Sequence, residues 1–166
     1  MSEIKDSGDR KEFSTGAVRD MHEGKGRCDL LPLNVISRLF YRNHKEEESR
    51  IFSAFDDVLN KNISLSLRRD RLYNIIEIFI TFEDSMCDIY TDILELAIHF
   101  EQGAKKYGEY NWQKGIPVEC YVDSAIRHYL KYLRGDDDER HDRAFMWNVI
   151  CCIWTFDKLM QEGKEV

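Results

Sequence analysis

From Leu33 to about Met160 the apolar residues return every three or four positions, and a single proline, Pro117, interrupts that span. This period places side chains along one face of a helix and cannot sit on a pleated strand. The chain is therefore constrained to a series of helices joined by short breaks. The spacing predicts a helix over Leu33 to His44 and a second over Lys45 to Asn60, with Ile51, Phe52, Phe55, Val58 and Leu59 on one side. A third runs from Arg68 to about Asp88 and carries Leu72, Ile75, Ile76, Phe79 and Met86. A fourth, Ile89 to Tyr107, continues from it. Gly108 to Val118 reads as a loop, with Gly115 and Pro117 as breakers. Glu119 to Leu133 is a fifth helix, ended by Gly135. Asp136, Asp137 or Asp138 is expected to cap a last helix reaching about Met160. Residues 1–31 are polar and glycine-bearing and read as an irregular arm. No internal repeat or coiled-coil heptad is present. The expectation is an all-α domain with a bundle-like core, residues 1–166 forming one unit.

Composition bounds the partners. A chain of 166 residues, 43% hydrophobic and 33% charged, fits one globular domain. No apolar run reaches the roughly 18 to 20 residues of a membrane span. The segment Met1-Ser-Glu-Ile-Lys-Asp-Ser has no apolar h-region, so secretion is not expected. The cysteines Cys28, Cys87, Cys120, Cys151 and Cys152 form no Cys-x-x-Cys pair, which argues against a thiolate zinc site and for a reduced, cytoplasmic setting. A net charge of −7 excludes a general electrostatic footprint for nucleic-acid polymers. Small anions remain open, because a site can be locally basic within an acidic protein.

Three stretches carry chemistry. At 100° per residue, Leu94, Ala97, Ile98, Glu101 and Lys105 share a broad arc of the fourth helix. Leu96, Phe100 and Tyr107 extend it, while Glu95, His99 and Gln102 point the other way. Glu101 is thus expected to face the core, where a carboxylate needs either a cation or a partner such as Lys105. The fifth helix sets Val122, Ile126, Tyr129 and Leu133 on a core face. Tyr121, Ser124, His128 and Lys131 form a polar stripe, and Arg127 offers a planar phosphate donor. The last helix is apolar nearly all round (Phe145, Trp147, Val149, Ile150, Ile153, Trp154), so it belongs at the centre. Its start nevertheless carries Asp138, Glu139, His141 and Asp142, with Asn148 two turns after His141. Acids at a helix N-terminus complement the dipole, which accounts for Asp136 to Asp138. It does not account for His141 or Asn148, deeper in an apolar helix. Glu101 from one helix and Glu139 with Asp142 from another could hold a hard divalent cation through oxygen ligands.

The loop after Glu101 supplies phosphate-countering lysines (Lys105, Lys106, Lys114), rings for base stacking (Tyr107, Trp112) and an amide, Asn111. Towards the N-terminus, Ser14-Thr-Gly-Ala-Val-Arg19-Asp20 precedes Gly24-Lys25-Gly-Arg27-Cys-Asp29-Leu-Leu-Pro32. This is not a P-loop. Arg19, Lys25 and Arg27 among glycines could still wrap phosphates.

These segments, with Glu101-x-Gly-Ala-x-Lys106-Tyr107-Gly, Asn111-Trp112-x-Lys114-Gly115, Ser124-Ala-x-Arg127-His128, Asp138-Glu139-x-His141 and Trp147-Asn148, together resemble the phage and prophage dATP/dGTP diphosphohydrolase domain family. That family is taken to be related to the MazG-like all-α NTP pyrophosphohydrolases. The resemblance covers roughly residues 13–40 and 94–156. It leaves 41–90 as a helical insertion, read as an added hairpin for dimerisation or as a lid. The resemblance implies hydrolysis of a purine dNTP to dNMP and pyrophosphate with Mg²⁺ or Mn²⁺, in a cytoplasmic homo-oligomer. It implies metal ligands among Glu101, Asp138, Glu139 and Asp142. Glu101, His128 and His141 would take catalytic roles. Arg19, Lys25, Arg27, Lys106, Tyr107, Asn111, Trp112, Lys114, Arg127 and Asn148 would bind substrate. MazG-like enzymes pair E-x-x-E with E-x-x-D. Here Glu139 and Asp142 supply the second, but Glu101 has Ile98 and Ala104 where a partner acid would stand, leaving His128 or His141 as alternatives. Two other readings remain: an HD-type phosphohydrolase on His128, His141-Asp142 and Asp157, and a non-catalytic nucleotide-binding or host-interaction protein.

Overall fold

The computed structural model describes residues 10–20, 28–82 and 89–164. Lys25 and Arg27 lie outside the described residues. The architecture is all-α, with a small hairpin added. Strands β1 (Arg10–Glu12) and β2 (Val18–Asp20) pair antiparallel, with Arg10 opposite Asp20. A 3₁₀ turn (Cys28–Leu30) follows, then α1 (Leu33–Arg42), α2 (Glu46–Leu59), α3 (Leu65–Phe82) and α4 (Ile89–Tyr107). A second 3₁₀ turn (Asn111–Lys114) leads to α5 (Val118–Arg134) and α6 (His141–Gln161).

Helix α6 is central, as its all-round apolar character demands. It packs against α3, α4 and α5. Phe145 on α6 meets Phe79 at 4.7 Å, Tyr129 at 5.1 Å and Phe55 at 6.3 Å between ring centroids. Offset and edge-on rings of this kind add to the burial of their area. Two of these four rings, Phe55 and Phe79, lie within 41–90 and the other two pack against them, so that segment is no appendage. Phe52, Phe55, Leu72, Ile75 and Phe79 belong to the same buried cluster as Tyr121, Tyr129 and Phe156. The segment expected as a hairpin or lid contributes nine of the 24 buried residues of that cluster among the described residues.

Gly135 closes α5 as the sequence predicts. It has φ +81°, and the N–H groups of Gly135 and Asp136 donate to Tyr132 and Lys131 carbonyls. The expected capping of α6 by Asp136, Asp137 or Asp138 does not occur. Arg140 holds the N-cap position with no side-chain cap bond. Asp136 is drawn to Arg134 and Asp138 to Lys131 and His141 instead. Within the expected irregular arm, residues 10–20 form the hairpin.

The face of α4 is the main correction. Ile93 and Leu94 are 58% and 69% exposed, and Ala97 and Glu101 also face outward. Leu96 is buried, and Glu95, His99 and Phe100 turn towards α6. Apolar residues occupy both sides of this helix, so period alone does not choose between them. Polar and ring contacts decide. Glu95 reaches Arg140 at 3.4 Å and Arg143 at 3.5 Å, while the rings of His99 and Phe100 lie about 6 Å from Trp147. Glu101 pairs with Lys105 at the surface, its side chain 61% exposed.

Candidate functional site

The turn between α5 and α6 brings two histidines and two acids together. His128 lies late in α5, Glu139 in the turn, and His141 opens α6. His128 Nδ1 is 3.0 Å from Glu139 Oε1 and 3.1 Å from His141 Nδ1. His141 Nδ1 is 3.4 Å from the same Glu139 oxygen. On its far side, His141 Nε2 stands 2.7 Å from Asp138 Oδ1. A carboxylate accepts, so this contact assigns the proton of neutral His141 to Nε2 and turns the Nδ1 lone pair towards Glu139 and His128. Burial pushes the His128 imidazole below its usual pKa, against the opposing pull of Glu139.

His99 approaches the cluster from α4. Burial, followed by the charge of His128, lowers it to about 4. It is therefore neutral at physiological pH. The helical wheel that turned His99 outward also hid this approach. Glu101 lies about 200° round α4 from His99, on the opposite side from the cluster, so the expected pairing of Glu101 with Glu139 and Asp142 is not assembled here.

Asp142 is beside the cluster but serves guanidinium groups. Arg140 donates to it at 2.7 and 3.1 Å, and Arg143 is 3.7 Å away. Burial pushes its carboxyl up. Bonds from Arg140 and the Arg143 backbone, with both positive charges, outweigh that and leave it lowered.

Five of the ten expected substrate-binding groups fasten the N-terminal hairpin. Asn111, 5% exposed, accepts from the Val18 N–H and donates to the Val18 carbonyl, each at 2.8 Å. It acts as one residue of a third strand. Arg19 donates to Asn148 Oδ1 at 2.7 Å and lies 5.2 Å over the Tyr121 ring. Lys106 and Tyr107 both donate to Asp20, at 2.9 and 2.8 Å. Arg127 pairs with the fully buried Asp123, which also accepts from the Cys28 N–H at 2.6 Å. Lys114 is exposed. Asp20, Asp123 and His99 were not singled out in the sequence. The Asp123–Arg127 spacing at i,i+4 was visible, but its burial was not.

Phe100, Gly103, Ala104, Tyr107, Trp112 and Trp147 line a small cleft between α4 and the 111–114 turn. Trp112 holds the wall through edge contacts to Phe100 at 5.7 Å and Trp154 at 5.0 Å. Gly103 is a glycine inside a helix, which costs about 1 kcal/mol against alanine. A Cβ there would meet nothing within 4 Å, so the protein's own packing does not require it.

The fold is thus a small all-α scaffold with a histidine–carboxylate cluster at one helix junction and an aromatic cleft along the same α4–α6 seam. Residues 89–166, a little under half of the chain, match the family described as dATP/dGTP diphosphohydrolase, N-terminal. No curated protein and no solved structure gives a match. The matched span holds α4, α5 and α6 and thus both features. The hairpin and α1 to α3 lie outside it.

Proposed function

We propose that the protein hydrolyses a purine deoxynucleoside triphosphate, dATP or dGTP, to the monophosphate and pyrophosphate with a divalent ion, Mg²⁺ or Mn²⁺. The observation that carries this reading is the coincidence of the matched span with both the cluster and the cleft. His141 and Trp147 are six residues apart on α6, about 9 Å along its axis. That length suits a nucleotide with its base in the cleft and its phosphates at the cluster.

The residues present fit a cation, since lone pairs of Glu139, His128 and His141 converge. A divalent ion held there supplies an activated water and neutralises charge on the phosphates. Asp138 fixes the tautomer and orientation of His141. Lys131, Arg140 and Arg143 surround the cluster and take phosphate charge in exchange for the carboxylates they now hold. Trp112 and Phe100 present ring faces and edges to the base. The reaction adds one water across the α–β phosphoanhydride. The α phosphorus gains the water oxygen, and pyrophosphate leaves with the electron pair of the broken bond. The same reading makes the protein a phage- or prophage-encoded cytoplasmic homo-oligomer, with Ile93 and Leu94 as an apolar face for a second copy.

The test is incubation with each dNTP and NTP and either ion, with products separated by anion exchange. Release of dNMP and pyrophosphate from dATP or dGTP is expected. Release of triphosphate or phosphate would replace this reading with the HD-type one. That alternative is disfavoured by Asp157, which pairs with Arg69 at 3.0 Å and lies sixteen residues, about 24 Å, along α6 from His141. A folded sample that binds nucleotide without turnover would leave the non-catalytic reading.

A further inference from the structure

We propose that His128 Nδ1, His141 Nδ1 and one Glu139 oxygen are the inner ligands of a transition-metal ion (Mn²⁺, Fe²⁺, Co²⁺ or Zn²⁺), with Asp138 as the outer partner of His141. This rests on the metal-dependent reading above but assigns the ligand atoms and moves the ion's class from Mg²⁺ to the transition metals, neither of which the acid motifs indicate.

The spacing carries the argument. Donors about 2.1 Å from a shared ion lie about 3.0 Å apart at a right angle and about 3.4 Å apart at a tetrahedral one. The three separations here are 3.0, 3.1 and 3.4 Å. Chemistry points the same way. Mg²⁺ prefers oxygen and a near-ideal octahedron, whereas imidazole nitrogen suits later transition metals. Two of three converging donors are imidazoles. A ligating histidine commonly gives its other N–H to a carboxylate, which orients it and raises its basicity. His141 and Asp138 have that relation at 2.7 Å.

A second grouping of Asp136, Asp138 and His141 also has ligand atoms within 4.8 Å of one another. It is the weaker one, because Asp136 is bound by the Arg134 guanidinium, Nε at 2.6 Å, and the His141 nitrogen facing it carries the proton. The preferred set is not sealed. Side-chain exposure is 1% for His141, 19% for His128 and 11% for Glu139. Three protein donors with an open edge leave positions for water or a phosphate oxygen, as in catalytic rather than structural sites.

The histidine-alone reading is a hydrogen bond from His128 Nδ1–H shared between Glu139 and His141. It fills the same space without a metal, and the two readings part in a titration. Chelator-treated full-length protein is titrated with Co²⁺, followed by its d–d absorption, and then challenged with Mg²⁺. One Co²⁺ per chain is expected, with nitrogen-donor spectral character. Displacement by Mg²⁺ should need at least a hundredfold excess. His128→Ala and His141→Ala should each weaken Co²⁺ at least tenfold. Asp138→Asn keeps the inner ligands and should weaken it by about 10- to 100-fold. Asp136→Asn should leave it unchanged.

Failure of the folded wild-type protein to bind Co²⁺, Mn²⁺ or Zn²⁺ overturns the proposal. So does equal competition by Mg²⁺, or unchanged Co²⁺ spectra in His128→Ala and His141→Ala. Should the alanine variants not fold, the Asp138→Asn and Asp136→Asn pair decides: equal effects reject the site. Co²⁺ binding without dNTP turnover would sink the proposed reaction and leave the metal site. Turnover with Mg²⁺ alone in both histidine variants would do the reverse.

Discussion

Replacing Asn111 by alanine should release the N-terminal hairpin without unfolding the bundle. Asn111 is nearly fully buried and makes two hydrogen bonds of 2.8 Å, one to each polar group of Val18. Each such bond contributes about 0.5–1.5 kcal/mol net, and leaving the partners unmet in a buried setting adds to the loss. The expected cost is roughly 2–3 kcal/mol. The hairpin can move away and rehydrate Val18, so the loss should appear locally. Arg19 with Asn148, and Asp20 with Lys106 and Tyr107, remain as anchors. Converted at about 1.4 kcal/mol per factor of ten, amide exchange over residues 13–20 should quicken by roughly 30- to 150-fold. Amides of α5 and α6 should be little affected. Hydrogen exchange read by mass spectrometry or NMR measures this directly. Asn111→Asp keeps the acceptor for the Val18 N–H but sets a carboxylate against the Val18 carbonyl, so it should not rescue. Unchanged exchange in the hairpin, or equal acceleration throughout the bundle, would refute the argument that one side chain acts as the pin.

Three further outcomes follow from other parts of the molecule. Phe145→Ala removes a fully buried ring that touches three others, and should cost about 3–5 kcal/mol in denaturant unfolding; a loss below about 1 kcal/mol would show that α6 does not centre the core. His99, lowered to about 4 mainly by burial, binds fewer protons folded than unfolded. Its stabilising contribution is complete above the unfolded value near 6.5 and is lost as pH falls towards 4, up to about 3 kcal/mol. An NMR titration of its ring should show no protonation above pH 5, and His99→Gln should flatten unfolding stability across that window; a normal titration near 6.5 contradicts the burial argument. Glu101→Gln, at an exposed pair with Lys105, should leave the melting temperature unchanged and retain dNTP turnover. Loss of turnover in that folded variant would restore Glu101 to the site.

Period and punctuation made the helices legible. Gly135 marked the end of α5 because a left-handed residue is needed there, and the all-round apolar run of α6 required a central position. His128, His141, Glu139 and Asp138 stood out as polar residues at the edges of apolar helices, and the fold does gather them. Other features depended on docking. α4 carries apolar side chains on two faces, and only Arg140, Arg143 and Trp147, at the start of α6 and along it, determine which face turns inward. Asn111, Lys106, Tyr107, Arg19 and Asn148 look like ligand-binding groups in a linear reading. Their partners lie 86 to 129 residues away, and no local pattern records so distant a pairing. The sequence by itself therefore determined the all-α class, most helix limits and the polar residues able to do chemistry, because propensity and periodicity act within a turn or two. Only the tertiary structure decided which of those residues meet one another and which fasten the hairpin, because hydrogen bonds and ion pairs depend on angstrom-scale positions that the packing of α3, α4 and α5 around α6 sets.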